Sequence, residues 1–386
     1  MAFDVIVFGL GGMGSAAAAH LAARGQRVLG LERFGPAHDR GSSHGGTRIV
    51  RQAYIEDPAY VPLLLRAWDR WAALVADSGS DVFVATGGLY AGLPGGGTVG
   101  AGQPAGGQGT FSGSLRSARQ WGLPHEVLDP AAVARRFPVF RLAPGELALY
   151  EERAGYARPK ATVRAQLRLA AAAGAELRFD EPVLAWEAGP PARVRTALGA
   201  YEADRLVLTP GAWAPELAAL DVPMVVERQV MHWIAPAGPI EPYEGGPVFI
   251  AGDGPDQVYG FPAVDGPTGG VKVSFFRAGE PTTPETVDRT VRPGEVEELR
   301  RRAAQLLPGL TGPPVAATVC LYTTTPDSHF VVGPHPAHDN VVVACGFSGH
   351  GFKFVPVVGE ILADLALDGS TRHPIGLFDP LRFASH

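Results

Sequence analysis

The chain has 386 residues, 46% of them hydrophobic and 19% charged, with a net charge of −6. That length exceeds one ordinary domain and can bury a large core, so two interleaved domains are expected. The acidic balance argues against nucleic acid or an anionic membrane as the main partner, and two cysteines, Cys320 and Cys345, do not make a secreted disulfide framework.

The first element is a short apolar, β-branched run at residues 5–8, which reads as a strand buried on both faces. Gly9, Gly11 and Gly14 follow at the G-x-G-x-x-G spacing. Residues 15–24 are Ala/Leu-rich and helical, Gly25 is a stop, and residues 27–31 form a second strand ending at Glu32. Each piece has a task. Gly9 permits a tight turn, Gly11 lets the backbone approach a pyrophosphate, and Gly14 lets the helix pack on the strand. Gly12 and Met13 complete that turn. The helix N-terminus offers free N–H groups and partial positive charge to phosphates. Glu32, followed by Arg33, is placed to accept from ribose hydroxyls. The unit points to an adenine dinucleotide without separating NAD from FAD; a Gly-rich turn with no ligand is the plain alternative. A strand starting by residue 3 leaves no room for a cleaved leader. No apolar run reaches the roughly 18–20 residues of a bilayer crossing. The cytoplasm is the expected location.

A Gly/Ser-rich segment, RFGPAHDRGSSHGGTRIVRQAY, comes next and reads as a loop close to a ligand. It carries Ser42, His44, Thr47, Arg48 and Arg51. Residues three apart face opposite ways in a strand and alike in a helical turn, so spacing does not say whether both arginines reach one site. They are either two surface arginines, or one forks onto a substrate carboxylate while the other lies by the cofactor. Asp57 is an N-cap with Pro58 at N1, and residues 61–75 have the spacing of an amphipathic helix. Residues 82–90 read as one strand. The Gly-rich stretch 93–113 reads as a surface insertion without chemistry. Asp129 and Pro130 start a short helix, and residues 160–173 form another, stopped by Gly174.

Short strands are expected at 176–179, at 183–186 (Val183 being a candidate cofactor contact) and at 205–208. The last feeds TPGAW, whose Gly211 and Trp213 offer a second close backbone approach. Apolar runs at 229–234, 248–250, 258–261 and 271–275 suggest an antiparallel sheet carrying Tyr259 and Lys272. Lys272 alternates with valines. It either points to solvent, or is a buried cation favouring negative charge beside a redox cofactor. A charged amphipathic helix is expected at 295–307 and a strand with Cys320 at 315–323. A buried strand at 340–345 meets GFSGHGFKF, before a helix at 355–367. That loop holds Gly346, Phe347, Gly349, His350, Gly351 and Lys353, and its N–H groups could face an anionic ring edge. Singly, His350 and Lys353 read as surface residues and Cys320 as a buried structural thiol. There is no zinc-ligand spacing, no G-x-S-x-G and no P-loop.

This order predicts a mixed α/β (α+β) fold. A Rossmann-like nucleotide domain is built from 1–82, 145–220 and 318–386. An antiparallel-sheet substrate domain is inserted as 83–144 and 221–317.

GLGGMG, GSSHGGTRIVRQAY, YGFP, GGVK, CLYTTTPD and GFSGHGFKF together resemble the monomeric sarcosine oxidase and N-methyl-tryptophan oxidase family of D-amino-acid-oxidase-like flavoproteins. The resemblance runs from Asp4 to about Leu377, with 93–113 as its clearest departure. It implies FAD, attached covalently to Cys320 through the flavin 8α-carbon. It implies a substrate carboxylate clamped by Arg51 and Lys353, and Lys272 near flavin N5 assisting reaction with oxygen. His44 and Arg48 match residues beside the flavin ring, with Thr47 between them and Arg51. Tyr259 and His350 match residues of the substrate cavity, and Glu32 the ribose-binding carboxylate. Phe276 stands where sarcosine-specific members carry a histidine, and Ile250 makes that wall more apolar. A bulkier or more hydrophobic amine than sarcosine is therefore expected.

The implied activity is that of a monomeric, FAD-dependent amine oxidase. It takes a secondary, N-methylated amino acid to an imine while oxygen becomes hydrogen peroxide. A cationic clamp with no acidic partner for the ammonium would lower the amine's pKa. Three alternatives stand beside it: a cyclic imino acid or pathway-specific amine on the same scaffold, an NAD-dependent dehydrogenase, and a flavin protein without oxidase activity in which Lys272 meets solvent.

Overall fold

The structure, a computed structural model, describes residues 3–96, 109–266, 268–276 and 279–384. Strand β1 (Phe3–Phe8), helix α1 (Gly12–Ala23) and strand β2 (Val28–Leu31) open the chain as expected. Val5, Ile6 and Val7 are fully buried; each such side chain stabilises the fold by about 1.5–3 kcal/mol relative to exposure. β1 runs parallel to β2 on one side and to the strand Ala200–Leu208 on the other. Ala200–Leu208 also runs parallel to His338–Cys345, so the end of the chain returns to the sheet its beginning started. Glu176–Arg178 adds on beyond β2. Antiparallel strands, Val183–Glu187, Ala192–Thr196 and Val331–His335, complete an eight-stranded sheet. The helix Val355–Asp368 lies against α1, where a Cβ on Gly359 would stand 2.5 Å from Ala16.

A nine-stranded sheet carries the second half of the site. Near one edge of it Val225–Ile234 is flanked by Val271–Phe275 and by Pro314–Thr324, both antiparallel to it. A small three-stranded sheet pairs β3 (Arg48–Val50) with one side of Gly155–Ala157, and Phe83–Ala85 with the other. Asp57 caps a short turn at Pro58–Tyr60, and α2 (Val61–Ser78) follows.

Several sequence expectations change. Residues 82–90 are two strands, Phe83–Ala85 and Gly88–Gly92, in different sheets. The break is at Gly87, which takes φ +77°, and the Thr86 and Gly87 N–H groups both donate to the Ala154 carbonyl. The larger sheet is not wholly antiparallel, because Gly88–Gly92 pairs parallel with Val248–Ala251. Residues 97–108 lie outside the described residues, but 110–113 are not insertion: they open the helix Thr110–Gln120, with Phe111 buried. Leu147–Glu151 pairs within the nine-stranded sheet, and Pro314–Thr324 pairs with Val225–Ile234 along its length. The sheets thus depart from the sequence boundaries near 145 and 318. Among the described residues no helix is long and apolar enough to cross a membrane.

Candidate active site

Two adjoining cavities lie where the sheets meet. The larger, of about 420 Å³, is walled by the opening turn and the closing loop together. Its lining includes Gly9, Gly11, Gly12 and Met13 from one end of the chain, and Gly346, Phe347, Gly349 and Gly351 from the other. Glu32, Arg33, Ser42, Arg48, Val183, Gly211 and Trp213 line it too, whereas His44, Thr47 and Cys320 of the expected cofactor set do not, and His350 and Lys353 line the smaller cavity. Gly9 takes φ +87°, a conformation that favours glycine. Gly14 lines neither of these cavities; a Cβ there would stand 1.9 Å from the Gly9 carbonyl oxygen, so its absence lets α1 close on β1. Glu32 is fixed by backbone. Leu10 N–H donates to its Oε2 at 2.8 Å, and Phe34 N–H to its Oε1 at 3.1 Å. At the mouth, Arg33 lies over the Trp213 ring and both donate to Glu285.

The nine-stranded sheet presents Lys272 and Cys320 from strands on either side of Val225–Ile234. Lys272 pairs opposite Trp233 and Cys320 opposite Gln229. Those partners are four apart on one strand and share a face, so both groups rise from the same side. Lys272 does not point to solvent. It is 2% exposed, and its Nζ donates to the Gly45 carbonyl at 2.6 Å and to that of Thr47 at 2.7 Å. Burial, then the Arg48 charge, pushes its ammonium well below its ordinary value. Arg48 bridges the same region. It donates to the Ser42 carbonyl at 2.9 Å and stands 3.3 Å from the Cys320 sulfur. Both cysteines are free and buried. His44 is buried, held down to about 3 by burial and then by Arg48.

The smaller cavity, about 60 Å³, shares Arg48, Tyr322, Gly349 and Phe352 with the larger. Arg51, His350, Lys353 and Tyr259 line it, so neither His350 nor Lys353 is a surface residue. Arg51 and Lys353 both lie over the Tyr54 ring, at 4.3 and 5.2 Å. Lys353 Nζ donates to the His350 carbonyl at 2.5 Å. Its ammonium is pushed down to about 7 by burial and then by Arg51, against the pull of Glu56. His350 Nε2 faces the Ser328 carbonyl at 2.9 Å. A carbonyl only accepts, so Nε2 carries the hydrogen, and Nδ1 accepts from the Tyr54 hydroxyl at 2.6 Å. Burial holds this imidazole at about 4.

Sequence reasoning missed Glu56. It is buried on the wall and takes a two-oxygen fork from Arg51, at 2.9 and 2.6 Å. Burial pushes its carboxyl up, but Arg51, with His350 and Lys353, outweighs that and holds it near 2. The expected clamp without an acidic partner is therefore wrong. The signal was an acid five residues after a candidate arginine, hidden in a helix-start run.

The residues present fit a flavin dinucleotide. A Cβ on Gly11 would meet nothing nearer than Ser43 Oγ, at 3.7 Å, which leaves a cradle open over the helix N-terminus. In the loop between the lining residues Ser42 and Arg48, His44 Nε2 and Thr47 Oγ1 are buried with no partner among the described residues. These are polar groups of the kind a bound ring edge would satisfy.

Comparison with known proteins agrees with this geometry. The DAO family, described as FAD dependent oxidoreductases, matches residues 4–365. A monomeric sarcosine oxidase from Streptomyces avermitilis is 55% identical, the match covering 99% of this chain and 98% of that one. An N-methyl-L-tryptophan oxidase from Salmonella heidelberg is 32% identical over the full length of both. The solved structure of NikD, described as an unusual amino acid oxidase essential for nikkomycin biosynthesis, superposes with a TM-score of 0.83 at 26% identity, covering 98% of this chain and 97% of that one.

Proposed function

The chain belongs to the DAO family of FAD-dependent oxidoreductases, and on that premise we propose that it oxidises a small N-methylated amino acid at the C–N bond. The NAD-dependent alternative falls with the family assignment. The observation that carries the substrate reading is the pair of cations, Arg51 and Lys353, on a small cavity that shares a wall with the cofactor chamber. A carboxylate entering there meets a planar fork and a point charge. It must first draw Arg51 from Glu56, so binding is an exchange of one carboxylate for another. The freed Glu56 charge then stands beside the substrate nitrogen or moves off it, which makes the amine's protonation depend on where that side chain goes.

When bound, FAD supplies the two-electron oxidation of the amine and returns those electrons to oxygen. The amine loses two electrons and two protons to become an imine, oxygen gains both as hydrogen peroxide, and water hydrolyses the imine. The protein's part is placement and charge. Glu32 would hold the ribose, the α1 N-terminus the pyrophosphate, and Cys320 the covalent tether. Lys272, fixed by two carbonyls, would stabilise negative charge forming on oxygen. His350 and Tyr259 shape the cavity wall.

Ile55, Ile250, Phe276 and Phe352 line the same cavity as the charged groups, which supports an apolar face beside the cations. Its size adds a limit the sequence did not show. About 60 Å³ takes roughly four or five water-sized groups, so a glycine- or alanine-sized N-methyl amino acid fits, which runs against the amine bulkier than sarcosine expected from Phe276 and Ile250, and an aromatic side chain needs the wall to move. The test is peroxide formation by the purified yellow protein with sarcosine, N-methylalanine and N-methyltryptophan. Activity is expected in that descending order, and no peroxide from any secondary amino acid overturns the reading. Acid precipitation should carry the colour into the pellet, and Cys320→Ser should release it to the supernatant; a wild-type flavin that washes out removes the covalent tether. The monomeric, cytoplasmic placement is carried within the same proposal and is open to gel filtration and cell fractionation.

A further inference from the structure

A buried carboxylate that none of these steps uses sits behind Arg51. Glu151, at the end of the strand Leu147–Glu151, is 1% exposed. Its Oε1 accepts from the Gln52 N–H at 3.0 Å and from the Tyr90 hydroxyl at 2.7 Å; its Oε2 accepts from the Ala53 N–H at 3.0 Å. Gln52 and Ala53 are the two residues that follow Arg51. The Ala53 carbonyl in turn accepts from Arg51 Nη1 at 3.0 Å. The Tyr90 ring lies 5.8 Å from the Arg51 guanidinium. One carboxylate therefore grips the N–H of the residue whose carbonyl accepts from Arg51, and the hydroxyl of a ring that faces its charge. Burial pushes the Glu151 carboxyl up, against the donors from Tyr90, Ala53 and Gln52.

We propose that Glu151 is a positioning residue for substrate binding: by holding the 51–53 backbone and Tyr90, it aims the Arg51 guanidinium into the smaller cavity. The inference rests on Arg51 as the contact for the substrate carboxylate. Two successive peptide N–H groups are satisfied by one side chain that reaches them from another sheet. Removing the carboxylate leaves buried donors without an acceptor, and the peptide turns to find one. Arg51 then loses the carbonyl that fixes one of its nitrogens, while its fork to Glu56 still holds the other. The guanidinium is left biased toward Glu56 and away from an incoming ligand. Glutamine keeps the shape of the side chain but accepts at one end only.

The FAD-loaded enzyme tests this with methoxyacetate, which keeps the carboxylate and replaces the amine with an ether oxygen. Binding is read from the flavin absorbance, and turnover is measured with sarcosine. In Glu151→Gln the methoxyacetate Kd should rise about tenfold, the sarcosine KM should rise with it, and kcat should change less. Tyr90→Phe, which removes one donor of three, should move the same quantities by less. It decides the matter if Glu151→Gln does not fold. Loss of kcat with KM and Kd unchanged in these variants overturns the positioning role. So does unchanged binding in both while Arg51→Ala weakens it. Unchanged binding in Arg51→Ala overturns the carboxylate reading instead.

Discussion

Lys353 shows how much one buried charge can report. Its ammonium is held near 7, by burial first and Arg51 second. A bound carboxylate favours the charged form, so above pH 7 binding must take up a proton. The affinity for methoxyacetate should therefore fall as pH rises from 7 to 9, by up to about tenfold per unit. Lys353→Met should bind weakly with no such slope, and a flat wild-type profile would count against Lys353 as a ligand contact. The sequence offered Arg51, Lys272, His350 and Lys353 by type and neighbourhood but left open which way each faced. That depends on strand register and loop path. Lys272 points inward because its strand pairs opposite Trp233. Glu56 and Glu151 stayed hidden for a different reason. An isolated acid looks the same whether it faces water or a buried arginine, and Glu151 reaches the backbone of Gln52 and Ala53 from far along the chain.

At the scale of elements, the β1–α1 turn is the tightest packing in the site. A Cβ on Gly14 would stand 1.9 Å from the Gly9 carbonyl oxygen and 2.5 Å from Thr209 Oγ1. Neither is the free end of a flexible chain, so Gly14→Ala must push α1 off its strand. The expected cost is about 1–3 kcal/mol, seen as a lower Tm and a reduced flavin content. A variant that melts and loads FAD like the wild type would show that the turn has slack. This element was legible because its glycines are local and ordered. The parallel pairing of Gly88–Gly92 with Val248–Ala251 was not, because nothing in either segment names a partner so distant. The break at Gly87 was missed because apolar residues continue on both sides of it.

For the whole molecule, acid is the informative perturbation. Among the described residues burial holds six histidines low in the fold: His20, His232 and His350 at about 4, His44 at about 3, and His329 and His335 below their ordinary value. Unfolded, each returns to about 6.5. Between those values the unfolded chain binds more protons, so stability falls as pH drops from about 6.5 toward 4. Glu56, held near 2, adds a further loss as pH falls below the ordinary carboxyl range of about 4.5. Melting temperatures taken from pH 7.5 to 4.5 should decline throughout; a plateau across pH 6 to 4.5 would mean these rings are not buried neutral. The larger cavity carries a last consequence, one of timing. Its wall runs from Phe8 to Val355. On the ribosome the cradle for the phosphates is made first and the wall on the ring side much later, so until the loop that carries Gly346 to Gly351 has emerged, a growing chain holds half a socket.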